Sequence, residues 1–131
     1  MTVVLDASAA FEIAMYHPKR DLYLKMIAEA DEVIAPELFI AECTNVAWKY
    51  QKAGYLDEQN AKLTLAYVLK SVTKYALTSD YSVEVLHESV RLNHPSYDIF
   101  YFVLARHNAA TLLTIDQKLA SLCRENGVDV A

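Results

Sequence analysis

The stretch Val3-Val-Leu-Asp-Ala-Ser-Ala9 decides the fold. Three apolar residues form a short strand that stops at Asp6, and a helical pattern then continues to about Met15. Because the acid follows the strand directly, Asp6 is placed at the strand's carboxyl end. Open α/β sheets carry their functional sites at this edge.

The rest of the chain repeats this alternation of short strands and helices. Further strands are predicted over Glu32–Ala35, Val72–Leu77, Thr111–Thr114 and Val128–Val130. Helices are predicted over Lys19–Ala30, Glu37–Lys52, Asp57–Lys70, Tyr81–Leu92, Tyr97–Asn108 and Gln117–Asn126. Such alternation implies right-handed crossovers and a mainly parallel sheet. We therefore expect a three-layer, Rossmann-like α/β fold in which helices flank a sheet of four or five strands.

Composition indicates one domain over residues 1–131. No stretch rich in Pro, Gly or Ser offers a linker, and the 54% of hydrophobic residues are ample for one core. Cys43 and Cys123 form no metal-ligand spacing, which favours a reducing cytoplasm. The first apolar run is interrupted by Asp6, so neither a signal peptide nor a membrane span is expected. The four histidines lack metal-binding spacing and are interpreted as structural: His17, His87, His94 and His107.

The chain is acidic, with a net charge of −5. Proteins that hold nucleic acid through net charge carry clustered Lys and Arg, whereas the twelve basic residues here are dispersed. A nucleic-acid substrate would therefore need bound cations or a few placed side chains. The candidates for such contacts are Lys19, Arg20, Lys49 and Lys52. Nine Tyr and four Phe suggest either an apolar patch for a partner or a well-filled core.

Four acids stand where chemistry could occur: Asp6, Glu42, Asp98 and Asp116. Three of them have an ordinary structural explanation. Asp6 and Asp116 could cap the helices that follow them, and Asp98 could favour the first turn of its helix by about 0.3–1 kcal/mol through the dipole. Glu42 lies in the middle of its helix, where neither explanation applies.

Glu42 shares one narrow polar stripe with Asn45 and Lys49, whereas apolar residues occupy most of the remaining circumference of this helix. The helix is therefore expected to be nearly buried. A carboxylate in such surroundings is destabilised by its lost hydration unless a cation faces it. Lys49 or a metal ion could supply that charge.

The acids are more informative together than singly. Asp6 and Asp116 both follow strands, and Asp98 begins the helix that precedes the strand of Asp116. If those two strands are neighbours, the four acids converge, and carboxylates this close require protons or divalent cations. Oxygen-only ligands favour Mg²⁺ or Mn²⁺, which could activate a water and stabilise the charge that develops on a phosphodiester.

Four segments carry these acids: Val4-Leu-Asp-Ala-Ser-Ala9, Pro36-Glu-Leu-Phe-Ile-Ala-Glu-Cys-Thr-Asn45, Ser96-Tyr-Asp-Ile-Phe-Tyr-Phe-Val-Leu-Ala105 and Leu113-Thr-Ile-Asp-Gln-Lys-Leu119. In this order and spacing they resemble the PIN-domain nucleases, and within them the VapC toxins of prokaryotic toxin–antitoxin pairs. The resemblance spans almost the whole chain. It implies a PIN-like fold and a Mg²⁺-dependent endoribonuclease, often a homodimer, that a VapB-like antitoxin holds inactive by covering its site.

The resemblance also implies roles for single residues. Asp6 and Asp98 would be direct metal ligands, Asp116 would act as a ligand directly or through water, and Glu42 would complete the catalytic acids. The groups that would orient ligands or water are Ser8, Asn45 and Thr114.

Two further positions bear on the comparison with the family. Lys49 is a candidate contact to the RNA substrate. Lys118 stands where some PIN nucleases carry an additional acid, which argues against a fully occupied second metal site.

The first pair of helices could form the dimer interface or the antitoxin groove.

Three other protein classes compete with a nuclease. A catalytically silent PIN module would bind RNA or protein, although the presence of all four acids argues against it. A receiver domain would carry an acidic pair at the first strand and a Lys-Pro after the last site, and neither occurs here. A haloacid-dehalogenase-type phosphatase would carry Asp-x-Asp, where this chain has Asp6-Ala-Ser8.

Overall fold

Four parallel strands form the centre of the molecule, in the order β3-β2-β1-β4. They are β1 Thr2–Leu5, β2 Glu32–Pro36, β3 Lys74–Ala76 and β4 Thr111–Leu113. In the computed structural model, which describes residues 1–131, β1 pairs with β2 on one side and β4 on the other. The predicted parallel α/β sheet is confirmed, and the strands that precede Asp6 and Asp116 are neighbours.

Seven α-helices surround this sheet. They are α1 Ala7–Ala14, α2 Arg20–Glu29, α3 Leu38–Lys52, α4 Glu58–Lys70, α5 Ser82–Leu92, α6 Ser96–His107 and α7 Gln117–Glu125. All seven follow the sequence prediction to within a few residues. A short 3₁₀ helix, Thr78–Asp80, was not predicted. None of the helices combines the length and the apolar character that crossing a membrane requires.

Two predicted strands are shorter in the structure. The third strand forms over Lys74–Ala76 alone, because the chain turns into the 3₁₀ helix directly after Leu77. The last predicted strand, Val128–Val130, is reduced to one parallel bridge between Leu112 and Val130. The sheet therefore has four strands, the lower of the two expected numbers.

The core lies between β1 and the helices on either side of it. Val3, Val4 and Leu5 are fully buried, as expected for a central parallel strand whose two faces are both covered. Helix α6 is buried over most of its circumference, including Ile99 and Tyr101–Ala105. The apolar pattern of α6 correctly predicted a buried helix, and this helix carries Asp98.

The expectation that α3 is nearly buried is wrong. Only Phe39, Cys43 and Ala47 are buried, at a spacing that presents one side of the helix to the core. Trp48 is 55% exposed and Ile40 is 39% exposed. The helix packs against α1, α4 and β2 from one side, so its remaining apolar side chains form part of the surface.

A buried carboxylate joins α5 to α6. Glu88 on α5 accepts hydrogen bonds from Arg91 Nε and Nη2 at 2.9 and 2.6 Å, and from Arg106 Nη1 at 2.8 Å. The hydrogen bonds from Arg91 and Arg106 lower the pKa of Glu88 to about 2, although burial acts in the opposite direction. This network fixes the position of α6 relative to α5.

We expect Glu88→Gln to lower the free energy of unfolding at pH 7 by about 1–3 kcal/mol, because charge-assisted hydrogen bonds are lost in a buried setting. The folded-state pKa lies below the ordinary value, so this stabilisation is present above about pH 4.5 and declines as the pH falls toward 2. Urea denaturation at pH 7 and pH 3 measures the difference. Glu58→Gln, at an exposed pair with Lys62, is the matched control. Equal destabilisation by Glu88→Gln at both pH values would contradict this account.

Candidate active site

The first and last candidate acids, Asp6 and Asp116, lie at the carboxyl edge of the sheet. Asp6 follows β1 and caps α1, with its Oδ1 accepting from the Ala9 N–H at 2.8 Å. Asp116 caps α7, and its Oδ1 accepts from the N–H groups of Lys118 and Leu119 at 2.9 and 3.1 Å. Both acids are therefore helix caps, and each cap engages a single carboxylate oxygen.

Two hydroxyl groups connect Asp6 to the loop after β4. Ser8 Oγ donates to Asp6 Oδ1 at 2.7 Å, and the Thr114 hydroxyl donates to Asp6 Oδ2. The Asp116 N–H donates to Thr114 Oγ1 at 3.1 Å, and the Ile115 N–H donates to Ser8 Oγ at 3.0 Å. The structure thus brings Ser8 and Thr114 into direct contact with Asp6, and it connects Asp6 to Asp116 through Thr114.

Asp6 is almost completely buried, with 6% of its surface exposed. Burial raises the pKa of Asp6 to about 6, even though hydrogen bonds from Thr114, Ser8 and the Ala9 N–H favour the charged form. The nearby charge of Asp116 raises the pKa further. At neutral pH, Asp6 is therefore a desolvated carboxylate whose only partners are neutral donors.

Glu42 on α3 is partly buried beside α6. The Tyr101 hydroxyl donates to Glu42 Oε1 at 2.5 Å. Burial raises the pKa of Glu42, and the negative charges of Asp6 and Asp98 add to the increase. Lys49 is exposed and forms no ion pair with Glu42, so the sequence-based alternative of a Lys49 partner is wrong.

Asp98 lies in the first turn of α6 and contacts a histidine. His94 Nε2 is 2.8 Å from Asp98 Oδ2, across the break that separates α5 from α6. The interpretation of His94 as merely structural missed this contact. The i,i+4 spacing of His94 and Asp98 could have revealed the contact. Residues four apart share one face of a helix, and His94 lies just before the first turn of α6.

Tyr101 was also missed by the sequence analysis. The continuous apolar pattern of α6 predicts a core residue there, and Tyr101 is indeed buried. Its hydroxyl nevertheless reaches the candidate site, because buried tyrosines require a hydrogen-bond partner and Glu42 supplies one. The position of Tyr101, one turn after Asp98 on the same helix, was the available signal.

The basic residues singled out in the sequence lie away from the four acids or pair with aromatic rings. The Arg20 guanidinium stacks on the Tyr16 ring, 4.2 Å from its centroid, and Lys52 Nζ is 5.0 Å from the Trp48 ring. Lys49 lines a surface depression at the end of α3. Asn45 is exposed, and its side chain makes no hydrogen bond within the chain.

None of the four acids pairs with a Lys or Arg side chain, and the one basic side chain in contact with them is His94, at Asp98. The salt bridges of Lys and Arg side chains go to other carboxylates, namely those of Asp21, Glu58, Glu84 and Glu88. As the side chains stand, no three acidic, histidine or cysteine groups are close enough to enclose a metal ion. The donor set of carboxylate oxygens and hydroxyls still suits a hard divalent cation, whose charge this group of acids lacks.

Comparison with known proteins identifies the family. A family model described as PIN domain matches residues 3–125. Ribonuclease VapC3 of Pyrobaculum aerophilum is 29% identical over 124 residues, which covers 92% of this chain and 93% of that protein.

Solved structures share the fold. PAE2754 from Pyrobaculum aerophilum gives a TM-score of 0.76 at 26% identity, over 99% of this chain and 89% of that one. VapBC2 from Rickettsia felis, solved with a DNA fragment from its promoter, gives 0.71 at 16% identity, over 100% and 98%. Mycobacterium tuberculosis VapC20, a toxin that cleaves the sarcin-ricin loop, gives 0.66 at 14% identity, over 91% and 93%. Since the family model spans nearly all of the sequence, the chain belongs to the PIN-domain family, and its relatives are VapC proteins.

Proposed function

We propose that the protein is a divalent-metal-dependent endoribonuclease and the toxin of a VapBC-type pair. The observation that carries the proposal is the pair Asp6 and Asp116 at the carboxyl edge of the sheet, with Glu42 on α3 and Asp98 on α6 close enough for the charges of these acids to act on one another. No Lys or Arg is paired to any of the four. The sequence similarity to Ribonuclease VapC3 supports RNA as the substrate.

In this proposal Asp6, Asp98 and Asp116 hold Mg²⁺, with Mn²⁺ as a substitute, and Glu42 completes the catalytic group. The ion, when bound, supplies the positive charge that activates a water and stabilises the phosphodiester as it is attacked. The orientation of Asp6 is fixed by Ser8 and Thr114, which leaves its carboxylate little freedom to turn. Asn45 orients a ligand or water from the edge of α3.

Neighbouring hydrogen bonds position the two acids that come from other elements. The His94 ring holds one oxygen of Asp98, and the Tyr101 hydroxyl holds one oxygen of Glu42. Each contact leaves the second oxygen of that carboxylate available. Such supporting hydrogen bonds reduce the freedom that a metal ligand loses on binding.

In this proposal the antitoxin covers the acidic site that the RNA would otherwise reach, and it is anchored at a second surface. Lys49, on the same stripe of α3 as Glu42, contacts the RNA backbone beyond the acids. The antitoxin segment lies in the groove between α1, α2 and α4, a cavity of about 250 Å³ lined by Ile13, Ala14, Tyr16, Arg20, Leu63, Thr64 and Tyr67. The protein acts in the cytoplasm as a homodimer.

Asp98→Asn tests the metal-dependent nuclease directly. We expect its cleavage rate on a structured RNA panel with Mg²⁺ to fall by about 100-fold or more, because a charged oxygen ligand is lost. Cleavage by the unaltered protein stops in EDTA. Asp21→Asn, at a fully exposed acid on α2, is the matched control and retains activity. Persistent cleavage in EDTA, or full activity of Asp98→Asn, would exclude the proposal, and inactivity of the unaltered chain would favour a silent PIN module.

Asp6→Asn tests the site by stability rather than activity. Because the folded-state pKa of Asp6 lies above its ordinary value, the folded protein loses stability as the pH rises from about 4 to 6. Without divalent ions at pH 7.5, we therefore expect Asp6→Asn to be more stable than the unaltered protein by ~1–3 kcal/mol. The difference disappears at pH 4.

Thermal unfolding across these pH values, with and without Mg²⁺, measures both parts of this prediction. Added Mg²⁺ raises the melting temperature of the unaltered protein more than that of Asp6→Asn, because the variant lacks one of the three proposed charged ligands. The exposed variant Asp21→Asn follows the unaltered protein in both respects. A melting temperature of Asp6→Asn that lies below that of the unaltered protein at pH 7.5 would contradict the pKa argument.

Leu63→Glu tests the antitoxin groove. Leu63 is 58% exposed at the rim of the groove, so the charge is tolerated by the fold but is unfavourable for an apolar segment docked there. Co-expression of the chain with the small protein encoded beside it, followed by size-exclusion chromatography, measures the complex. We expect Leu63→Glu to lose the complex and Val83→Glu, at an exposed position on α5 outside the lining of the groove, to keep it. Retention of the complex by Leu63→Glu would place the partner elsewhere.

A further inference from the structure

A polar cleft runs along α7 beside the candidate acids. It has a volume of about 470 Å³ and is lined on one side by His94 and on the other by one face of α7, including Gln117, Lys118, Ser121 and Glu125. This volume lies within the range of roughly 300–1,000 Å³ that is typical of small-molecule sites. The cleft is therefore large enough for one nucleotide.

The inner end of the cleft is joined to the acids through two contacts. His94 lines the cleft and also holds Asp98 through its Nε2 atom. At the other wall, the Lys118 backbone N–H donates to Asp116 Oδ1, so the Lys118 side chain begins directly beside that carboxylate. A nucleotide in the cleft would thus lie next to a phosphodiester held at the acids.

Lys118 is the cation of this cleft. Its side chain is exposed and takes part in none of the salt bridges of the chain. The only acid among the lining residues, Glu125, lies seven positions further along α7, or about 10 Å away. Among the lining side chains, the positive charge of Lys118 therefore lies at the end nearest the acids and the negative charge of Glu125 lies at the outer end.

The middle of the cleft presents neutral hydrogen-bonding groups. Gln117 Nε2 makes a weak contact to Ile115 O at 3.3 Å, which leaves the amide oxygen free. Ser121 lies one turn further on the same face and is exposed. Amide and hydroxyl groups of this kind recognise the edges of unpaired bases in single-stranded RNA.

From this arrangement, and resting on the proposed ribonuclease function, we propose that the cleft binds the nucleotide adjacent to the cleaved bond. Lys118 contacts its phosphate, and Gln117 and Ser121 contact its base. Glu125 at the outer end prevents the phosphate backbone from continuing along α7, so a single nucleotide enters. An unpaired nucleotide is required, because a base stacked within a duplex cannot turn into a cleft of this size.

Lys118→Gln tests the phosphate contact without requiring cleavage. Binding of a labelled single-stranded RNA is measured by fluorescence anisotropy in EDTA at several salt concentrations. We expect the Kd to rise about fivefold to tenfold at low salt and the slope of log K against log salt to fall by about 0.7, the value for one phosphate contact. Lys70→Gln, at an exposed lysine on α4, is the control and changes neither quantity.

Gln117→Ala and Ser121→Ala test the base contact. Cleavage with Mg²⁺ of RNAs randomised at the positions flanking one cut site measures base preference on each side of the bond. We expect both variants to lower the rate on the preferred RNA toward the rate on the other RNAs, which relaxes the preference at one flanking position and leaves the preference at the other flank unchanged. Ser82→Ala on α5 is the control.

The outcomes separate this inference from the nuclease proposal. Metal-dependent cleavage together with unaltered binding and salt slope in Lys118→Gln overturns the nucleotide cleft and leaves the nuclease intact. Loss of binding in Lys118→Gln with no cleavage by the unaltered chain supports the cleft in an RNA-binding protein and overturns the nuclease. Absence of RNA binding by the unaltered chain in EDTA overturns the cleft, and it overturns the nuclease as well only if that chain also fails to cleave RNA with Mg²⁺. If Lys118→Gln instead releases the antitoxin and retains RNA, the cleft is a protein contact and the inference is wrong.

Discussion

The burial of one carboxylate at the end of the central strand constrains the whole edge of the sheet. Asp6 follows β1, which is paired on both sides, so its side chain cannot move toward solvent without breaking the sheet. A charge in this position is destabilising unless donors surround it. The Ser8 and Thr114 hydroxyls and the Ala9 N–H are those donors, and they fix the loops after β1 and β4.

The same atoms serve the fold and the candidate site. Asp6 and Asp116 each use one oxygen to cap a helix, and this is why helix capping and metal binding are compatible explanations for both residues. The caps hold the carboxylates at the positive ends of α1 and α7. That arrangement offsets part of the repulsion between two acids that share the hydroxyl of Thr114 as a neighbour.

The sequence predicted the elements whose pattern is local and strong. Val3 to Leu5 and the apolar length of α6 are buried because both faces of these elements are covered, and an unbroken apolar run is the direct sign of that. Helix α3 shows the limit of the same reasoning. Trp48 and Ile40 made it look buried, but their exposure depends on which neighbours exist, and a single helix contains no information about its neighbours.

The contacts to the candidate acids were harder to predict than the acids themselves. Glu42 was singled out because an acid in apolar surroundings requires an explanation, and Asp6, Asp98 and Asp116 were singled out by their places after strands and at the start of a helix. The residues that contact these acids already have a structural explanation in the sequence, so nothing marks them as part of a site. Tyr101 suits a core position and His94 suits a helix break, and their polar atoms meet the acids only because α3, α5 and α6 pack as they do.

The charge distribution of this acidic chain limits its electrostatic attraction for a polyanion such as RNA. The strongest cations near α6, Arg91 and Arg106, are committed to Glu88 and Glu84, so they stabilise packing and add little attraction for RNA. The net charge of −5 offers no long-range attraction either. Under the proposed function, recognition of RNA then depends on a few short-range contacts. These contacts favour binding of a substrate whose shape brings a phosphate and an unpaired base to the site together. Under the proposed function, a protein organised in this way would bind nucleic acid in general weakly and would select among RNAs by their local structure.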